Sequence, residues 1–161
     1  NFIMGGTRMN RELMLSLLNK VVRVNRGGPE SRVGKVFSAQ SDYFALLTEE
    51  DGIVFYKYQH IKSITQDSRN GMKLNVEVPE DYPFASFMDF RSALNELRHK
   101  WVKINHGGPE SVEGVLEEVF DDFITIVKNE EVIRVAMFHI RNVSYGPKPE
   151  KKPEKQDEEN N

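Results

Sequence analysis

The chain has 161 residues, 39% of them hydrophobic and 29% charged, and it contains no cysteine. That balance is enough to build folded cores, and the missing thiols exclude disulfide scaffolding, thiolate catalysis and Cys-ligated zinc. A formal net charge of -3 gives no bulk attraction toward nucleic acid or anionic lipid.

No stretch approaches the roughly 20 apolar residues of a membrane span. Residues 1–10 (NFIMGGTRMN) lack the apolar core of a signal peptide, so no membrane association and no export by that route are expected.

The first element is a helix over residues 11–20, where Leu13, Leu17 and Leu18 recur at helical spacing and Asn10 stands as N-cap. The pattern then changes to alternation in Val22-Arg23-Val24-Asn25, which predicts a strand. After the loop Gly27-Gly28-Pro29-Glu30-Ser31 come short apolar runs at 33–39, 43–48, 53–58 and 61–65, divided by turn residues. Asp51-Gly52 is the clearest hairpin signal, because Asp-Gly readily supplies positive φ. Gly34 lies inside a strand pattern, where a glycine implies a sharp bend or a close backbone approach.

Residues 67–88 connect the two halves of the chain. They open on the turn Asn70-Gly71 and alternate Met72, Leu74, Val76 and Val78, which predicts an extra strand packing on one unit or bridging two.

The pattern then repeats. A helix over 89–100 carries Phe90, Ala93, Leu94 and Leu97, with Ser86 or Asp89 as cap. KVVRVNRGGPESRVGKV from Lys20 returns as KWVKINHGGPESVEGVL from Lys100, with Gly107-Gly108-Pro109-Glu110-Ser111 repeating the pentapeptide. Gly114 answers Gly34, Asp122 answers Asp42, Phe123 answers Tyr43 and, one residue having been dropped, His139-Ile140 answers His60-Ile61. One short helix followed by five short bent strands is the order of Sm-like folds within the SH3-like barrel class. The expected fold is therefore mainly β: two tandem Sm-like or SH3-like small barrels, 10–66 and 89–145, each preceded by a short α-helix. The segment 146–161, rich in Pro, Lys and Glu, is expected to be a disordered tail.

The repeated motif invites three chemical readings. Paired glycines can cradle a phosphate, but no Gly-Lys-Ser/Thr and no helix pattern follows them. Ser31 and Ser111 lack a nucleophile-elbow context, so their hydroxyls are expected to tie the loop to its own backbone. His60 and His139 each precede the last strand of a unit. Without three or four convergent ligands they are expected to close the barrel corner by a hydrogen bond rather than to hold a metal. No catalytic, metal or cofactor-binding residue is assigned, and no enzyme activity is expected.

The tandem GGPES units, the Asp-[Tyr/Phe] hairpins and the closing His-Ile-[Lys/Arg]-[Ser/Asn]-[Ile/Val] together resemble the spore coat protein B family of endospore-forming bacteria, over residues 10–149. The resemblance implies a structural protein made in the mother-cell cytoplasm and laid down in the outer spore coat, with other coat proteins and itself as partners. The family motif then comprises Gly27, Gly28, Pro29, Glu30, Ser31, His60, Gly107, Gly108, Pro109, Glu110, Ser111 and His139, in a structural or interaction role. A longer member of the family carries a phosphorylated Ser/Lys/Arg-rich tail. The Lys/Glu segment here departs from it, so tail phosphorylation is not carried over.

An Sm-like nucleic-acid-binding module is the alternative. The Asn of the Sm hairpin and the Arg-Gly before the last strand are replaced by Ser41-Asp42-Tyr43-Phe44 and Asp121-Asp122-Phe123-Ile124, and by Gln59-His60 and Phe138-His139. Glu110, Glu113, Glu117, Glu118, Asp121 and Asp122 in the second copy would repel phosphates. Against Arg23, Arg26, Arg32 and Lys35 in the first copy, they read better as complementary surfaces for self-association or coat packing.

Overall fold

The computed structural model describes residues 9–69, 71–74 and 87–146. The first repeat contributes α1 (Arg11–Ser16), β1 (Val21–Val24), β2 (Arg32–Ala39), β3 (Tyr43–Thr48), β4 (Gly52–Lys57), a 3₁₀ turn (Tyr58–His60) and β5 (Ile64–Thr65). The second contributes α2 (Phe90–Glu96), β6 (Trp101–Ile104), β7 (Val112–Val119), β8 (Phe123–Lys128), β9 (Glu131–Ala136), a 3₁₀ turn (Met137–His139) and β10 (Asn142–Tyr145). Most of the expected extra strand at 72–78 and nearly all of the 146–161 tail lie outside the described residues.

Both helices start where the caps were expected. Asn10 Oδ1 accepts the Leu13 N–H at 3.0 Å, and Asp89 Oδ1 accepts the Ser92 N–H at 2.7 Å. Both helices end sooner than the apolar spacing suggests, because Asn19 and His99 take left-handed φ of 65° and 69°. Their N–H groups then donate to Val36 O and Leu116 O, which turns the chain onto the bent strand of each repeat. In α1 the buried face holds Met14 and Leu17, whereas Leu13 is 40% exposed, a correction to the expected stripe.

The ten strands form one open antiparallel sheet in the order β5-β1-β2-β3-β4-β10-β6-β7-β8-β9. The hydrogen-bond ladder therefore does not close into two barrels. The physical reason is the last strand: β10 pairs with β6 of its own repeat and, on its other edge, with β4 of the first repeat. Tyr58, expected in a strand, begins the 3₁₀ turn instead.

Each repeat bends its second strand by the same two devices. A Cβ on Gly34 would collide with Leu47 O, and one on Gly114 would lie 2.6 Å from Val127 O. Register shifts between Val36 and Ser38 and between Leu116 and Glu118 then add a β-bulge at equivalent positions.

Two cores result. One is made wholly of first-repeat residues, among them Met14, Val22, Val36, Phe44, Leu46, Val54 and Tyr56. The other joins Tyr43, Ala45, Leu47, Ile53 and Phe55 of the first repeat to Phe90, Leu94, Val102, Leu116, Ile126 and Val143 of the second. Alternate residues of β3 and β4 thus serve opposite faces, so both strands are buried along their whole length.

Candidate interaction site at the junction of the repeats

A polar cluster lies where the repeats meet, and the first GGPES loop forms its centre. Asn25, in the left-handed region at φ 57°, turns the chain out of β1. Ser31 Oγ donates to Asn25 O at 2.6 Å, which meets the expectation that the hydroxyl ties the loop to its own backbone. The Ser111 hydroxyl, expected to do the same, makes no such bond; what the two loops share is the serine N–H donating to Gly28 O and to Gly108 O, both at 3.2 Å.

Glu30 projects across the junction. Its carboxylate accepts from Arg141 Nε at 2.9 and 3.1 Å and from Asn142 Nδ2 at 2.9 Å. The Pro29 carbonyl lies where a Cβ of Gly107 would be, and Glu30 Oε2 lies 2.6 Å from where a Cβ of Gly108 would be. The second diglycine is therefore the seat of the first loop. Around Gly27 and Gly28, in contrast, an added Cβ would meet nothing within 4 Å. The two pentapeptides also differ in shape, with positive φ at Gly28 in one and at Gly107 in the other.

Beside this contact, Arg32 Nε donates to Asp51 Oδ2 at 2.7 Å, its Nη1 to Tyr56 Oη at 2.8 Å and its Nη2 to His106 O at 2.6 Å. His106 Nδ1 lies 2.9 Å from Asp51 Oδ1. Arg32, read from sequence as a basic surface residue, is buried. Burial pushes Asp51 up, but the Arg32 hydrogen bond and charge, with His106 and Lys103, hold it below the ordinary carboxylate value. Burial raises the Tyr56 hydroxyl to about 12 against the opposing pull of Arg32.

On the far side of the ladder, Lys57 Nζ donates to Met137 O at 2.7 Å and lies 5.0 Å from the Phe90 ring centroid. The entry to α2 is anchored on the first repeat as well. Tyr43 Oη donates to Phe87 O and accepts from Phe87 N–H, both at 2.9 Å, and Asp42 Oδ1 accepts the Phe90 N–H at 2.8 Å.

The histidines take different places from those expected. His60 lines an open cleft of about 320 Å³ with Gly27, Gly28, Glu30, Lys62 and Arg141, its ring edge-on to Phe138. Burial, followed by the nearby Lys57 charge, lowers its pKa below 6.5. His139 is exposed, and its carbonyl, not its ring, accepts a hydrogen bond, from Asn105 Nδ2 at 3.0 Å.

The corner residues are Asn25 and Asn105. Asn25 Oδ1 accepts the Lys62 N–H at 2.9 Å, and Asn105 Oδ1 accepts the Arg141 N–H at 2.7 Å. The signal for them was present in the sequence: an asparagine, tolerant of left-handed φ, two residues before each diglycine. Pro109 lines the cleft, while Glu110 is exposed. Among the described residues, no group of three or more His, Asp or Glu side chains is placed to hold a metal ion, and no helix is long and apolar enough to cross a membrane.

The fold and this junction define a protein with two similar halves in one antiparallel sheet, joined to each other by a polar cluster within the chain. Comparison with known proteins gives that class a family. The chain is 43% identical over 143 residues to Spore coat protein B of Bacillus subtilis (strain 168), an alignment covering 89% of this chain and 37% of the relative. The chain belongs to the spore coat protein B family, and it spans little more than a third of that relative's length. No family model and no solved structure matches it.

Proposed function

We propose that this chain is a non-enzymatic structural component of the bacterial endospore coat that contributes to coat assembly through protein–protein contacts. The observation carrying this reading is the 43% identity to a protein named for the spore coat, extending over 89% of this chain. The junction supports it, because the repeated motif residues Glu30, Gly107 and Gly108 already pack one repeat against the other within the chain.

Within this reading the chain is made in the mother-cell cytoplasm and deposited in the outer coat. Its partners are other coat proteins and further copies of itself. Each repeat, 10–66 and 89–145, acts as an Sm-like unit, a reading supported by a helix followed by five strands in the order 5-1-2-3-4 within each repeat. The GGPES residues and the paired histidines mark the faces through which units meet.

The experiment is fractionation of sporulating cells that carry a tagged chain. Production confined to sporulation and co-extraction with the outer coat is the expected result. Accumulation in growing cells, or absence from purified coats, would overturn the reading. A binding assay with single-stranded RNA at rising salt tests the nucleic-acid alternative, and no salt-sensitive binding is expected.

A further inference from the structure

We infer that copies of this chain join head to tail, the outer edge of β9 in one copy pairing with the outer edge of β5 in the next, by repeating the junction that already links the two repeats. This rests on the reading of the chain as an assembling coat component and names its partner as a second copy.

The internal junction is heterologous, since the β4 edge of one unit meets the β10 edge of the other. An interface of that kind consumes one edge of each unit and leaves the opposite two available. Among the described residues, β9 (the counterpart of β4) and β5 (the counterpart of β10) are the outermost strands and pair on one side only.

The β5 edge is already in register for the role. Ile64 and Thr65 pair with Val24 and Arg23 just as Val143 and Ser144 pair with Ile104 and Lys103. Carrying over the observed pairs Tyr145↔Ile53 and Val143↔Phe55 places Gln66 opposite Val132 and Ile64 opposite Arg134 of the neighbouring copy.

Part of the loop contact repeats as well. Glu110, exposed here, is the counterpart of Glu30, and the site it would enter consists of Gly27, Gly28 and the exposed Lys62, the counterparts of Gly107, Gly108 and Arg141. Gly27 has open space around it and no positive φ, so nothing local requires a glycine there. The seat it shares with Gly28 is open, in the cleft that His60, Lys62, Pro109 and Arg141 also line. Glu130 and Arg26, both exposed, stand where Asp51 and His106 form their pair.

Apolar exposure falls on the same two faces. Val132 is 53% exposed where its counterpart Ile53 is 1% exposed, and Leu13 is 40% exposed where Ala93 is 1% exposed. Association would cover both. Several differences make the new junction weaker than the internal one: Arg134 replaces Phe55, Ala136 replaces Lys57, Val112 replaces Arg32 and Ser63 replaces Asn142. Its ion pairs are at the surface, so the association is expected to depend on concentration and salt.

The whole cysteine-free chain allows a direct test. Directly opposite strand residues lie within disulfide reach. V132C mixed with Q66C under mild oxidation is expected to give disulfide-linked dimers, whereas neither variant alone does. In sedimentation velocity the unmodified chain should form species larger than the monomer as concentration rises. E110K should weaken this at least about fivefold, and E110K combined with K62E should restore it.

A chain that stays monomeric throughout, or V132C cross-linking as readily with itself as with Q66C, would overturn the inference. The first outcome would mean that the edges are covered within one chain, the second that like edges pair. A chain found in the coat that never assembles in this way would sink this inference and leave the coat reading intact. A chain that assembles but is absent from the coat would do the reverse.

Discussion

Glu30 and Glu110 are the same residue of the same pentapeptide, and their surroundings give them different weights. Glu30 leaves water to accept three hydrogen bonds from Arg141 and Asn142. Removing its carboxylate strands a partly buried guanidinium, so Glu30→Ala should cost about 1–3 kcal/mol in urea-induced unfolding. Glu110→Ala, at an exposed position, should stay within about 0.5 kcal/mol in dilute, monomeric protein. His60 supplies a pH dependence. Its folded pKa lies below 6.5, so the unfolded chain binds more protons as pH falls. The stability it contributes is fully present above about pH 6.5 and is lost as pH drops through the lowered folded value. Asp51 acts in the same direction lower down, below the ordinary carboxylate range. Urea midpoints between pH 7.5 and 5 should therefore fall, and H60Q should flatten the upper part of that slope.

At the scale of the element, strand positions and caps were legible because they follow from local chemistry. Asn10 and Asp89 sit where a helix needs acceptors, and Asp51-Gly52 supplies the backbone a hairpin demands. Gly34 and Gly114 were legible as tight approaches for the same reason. A Cβ at Gly34 has no room beside the Leu47 carbonyl, so Gly34→Ala should destabilise by about 1–3 kcal/mol, measured by thermal or urea unfolding. Gly27→Ala, facing open space, should be close to neutral in the monomer. What could not be read was which strand edges meet. The pairing of β10 with β4 depends on residues 86 or more positions apart in sequence, as in Asn142 opposite Tyr56, and no local period encodes it. A trace of it did exist. YFALLT and GIVFYK are apolar on both faces, whereas EVIRVA, the counterpart of the latter, carries Arg134 where Phe55 is buried. An unbroken apolar run marks a strand covered on two sides.

At the scale of the whole molecule, the second core is shared between the repeats, so they are not independent beads. Phe90 and Leu94 of α2 pack with Tyr43, Leu47 and Phe55 of the first repeat. The chain should unfold in a single cooperative transition, with coincident curves from Trp101 fluorescence, which reports on the second repeat, and from far-ultraviolet circular dichroism, which reports on both. Two separated transitions would show that the shared core contributes little. The candidate site followed the same division. Glu30, Gly107 and Gly108 were visible as parts of a repeated motif, but the role of that motif as an arm in one copy and a seat in the other arises only from packing.

Among the described residues β10 is the last strand along the chain, yet it lies inside the sheet, flanked by β4 and β6. The chain therefore reaches Tyr145 in the middle of the sheet and not at a rim. A fluorescent protein or enzyme fused at that point would hang as a pendant and leave both rims clear. The same cargo inserted at the Asn129-Glu130 turn would sit on one of them.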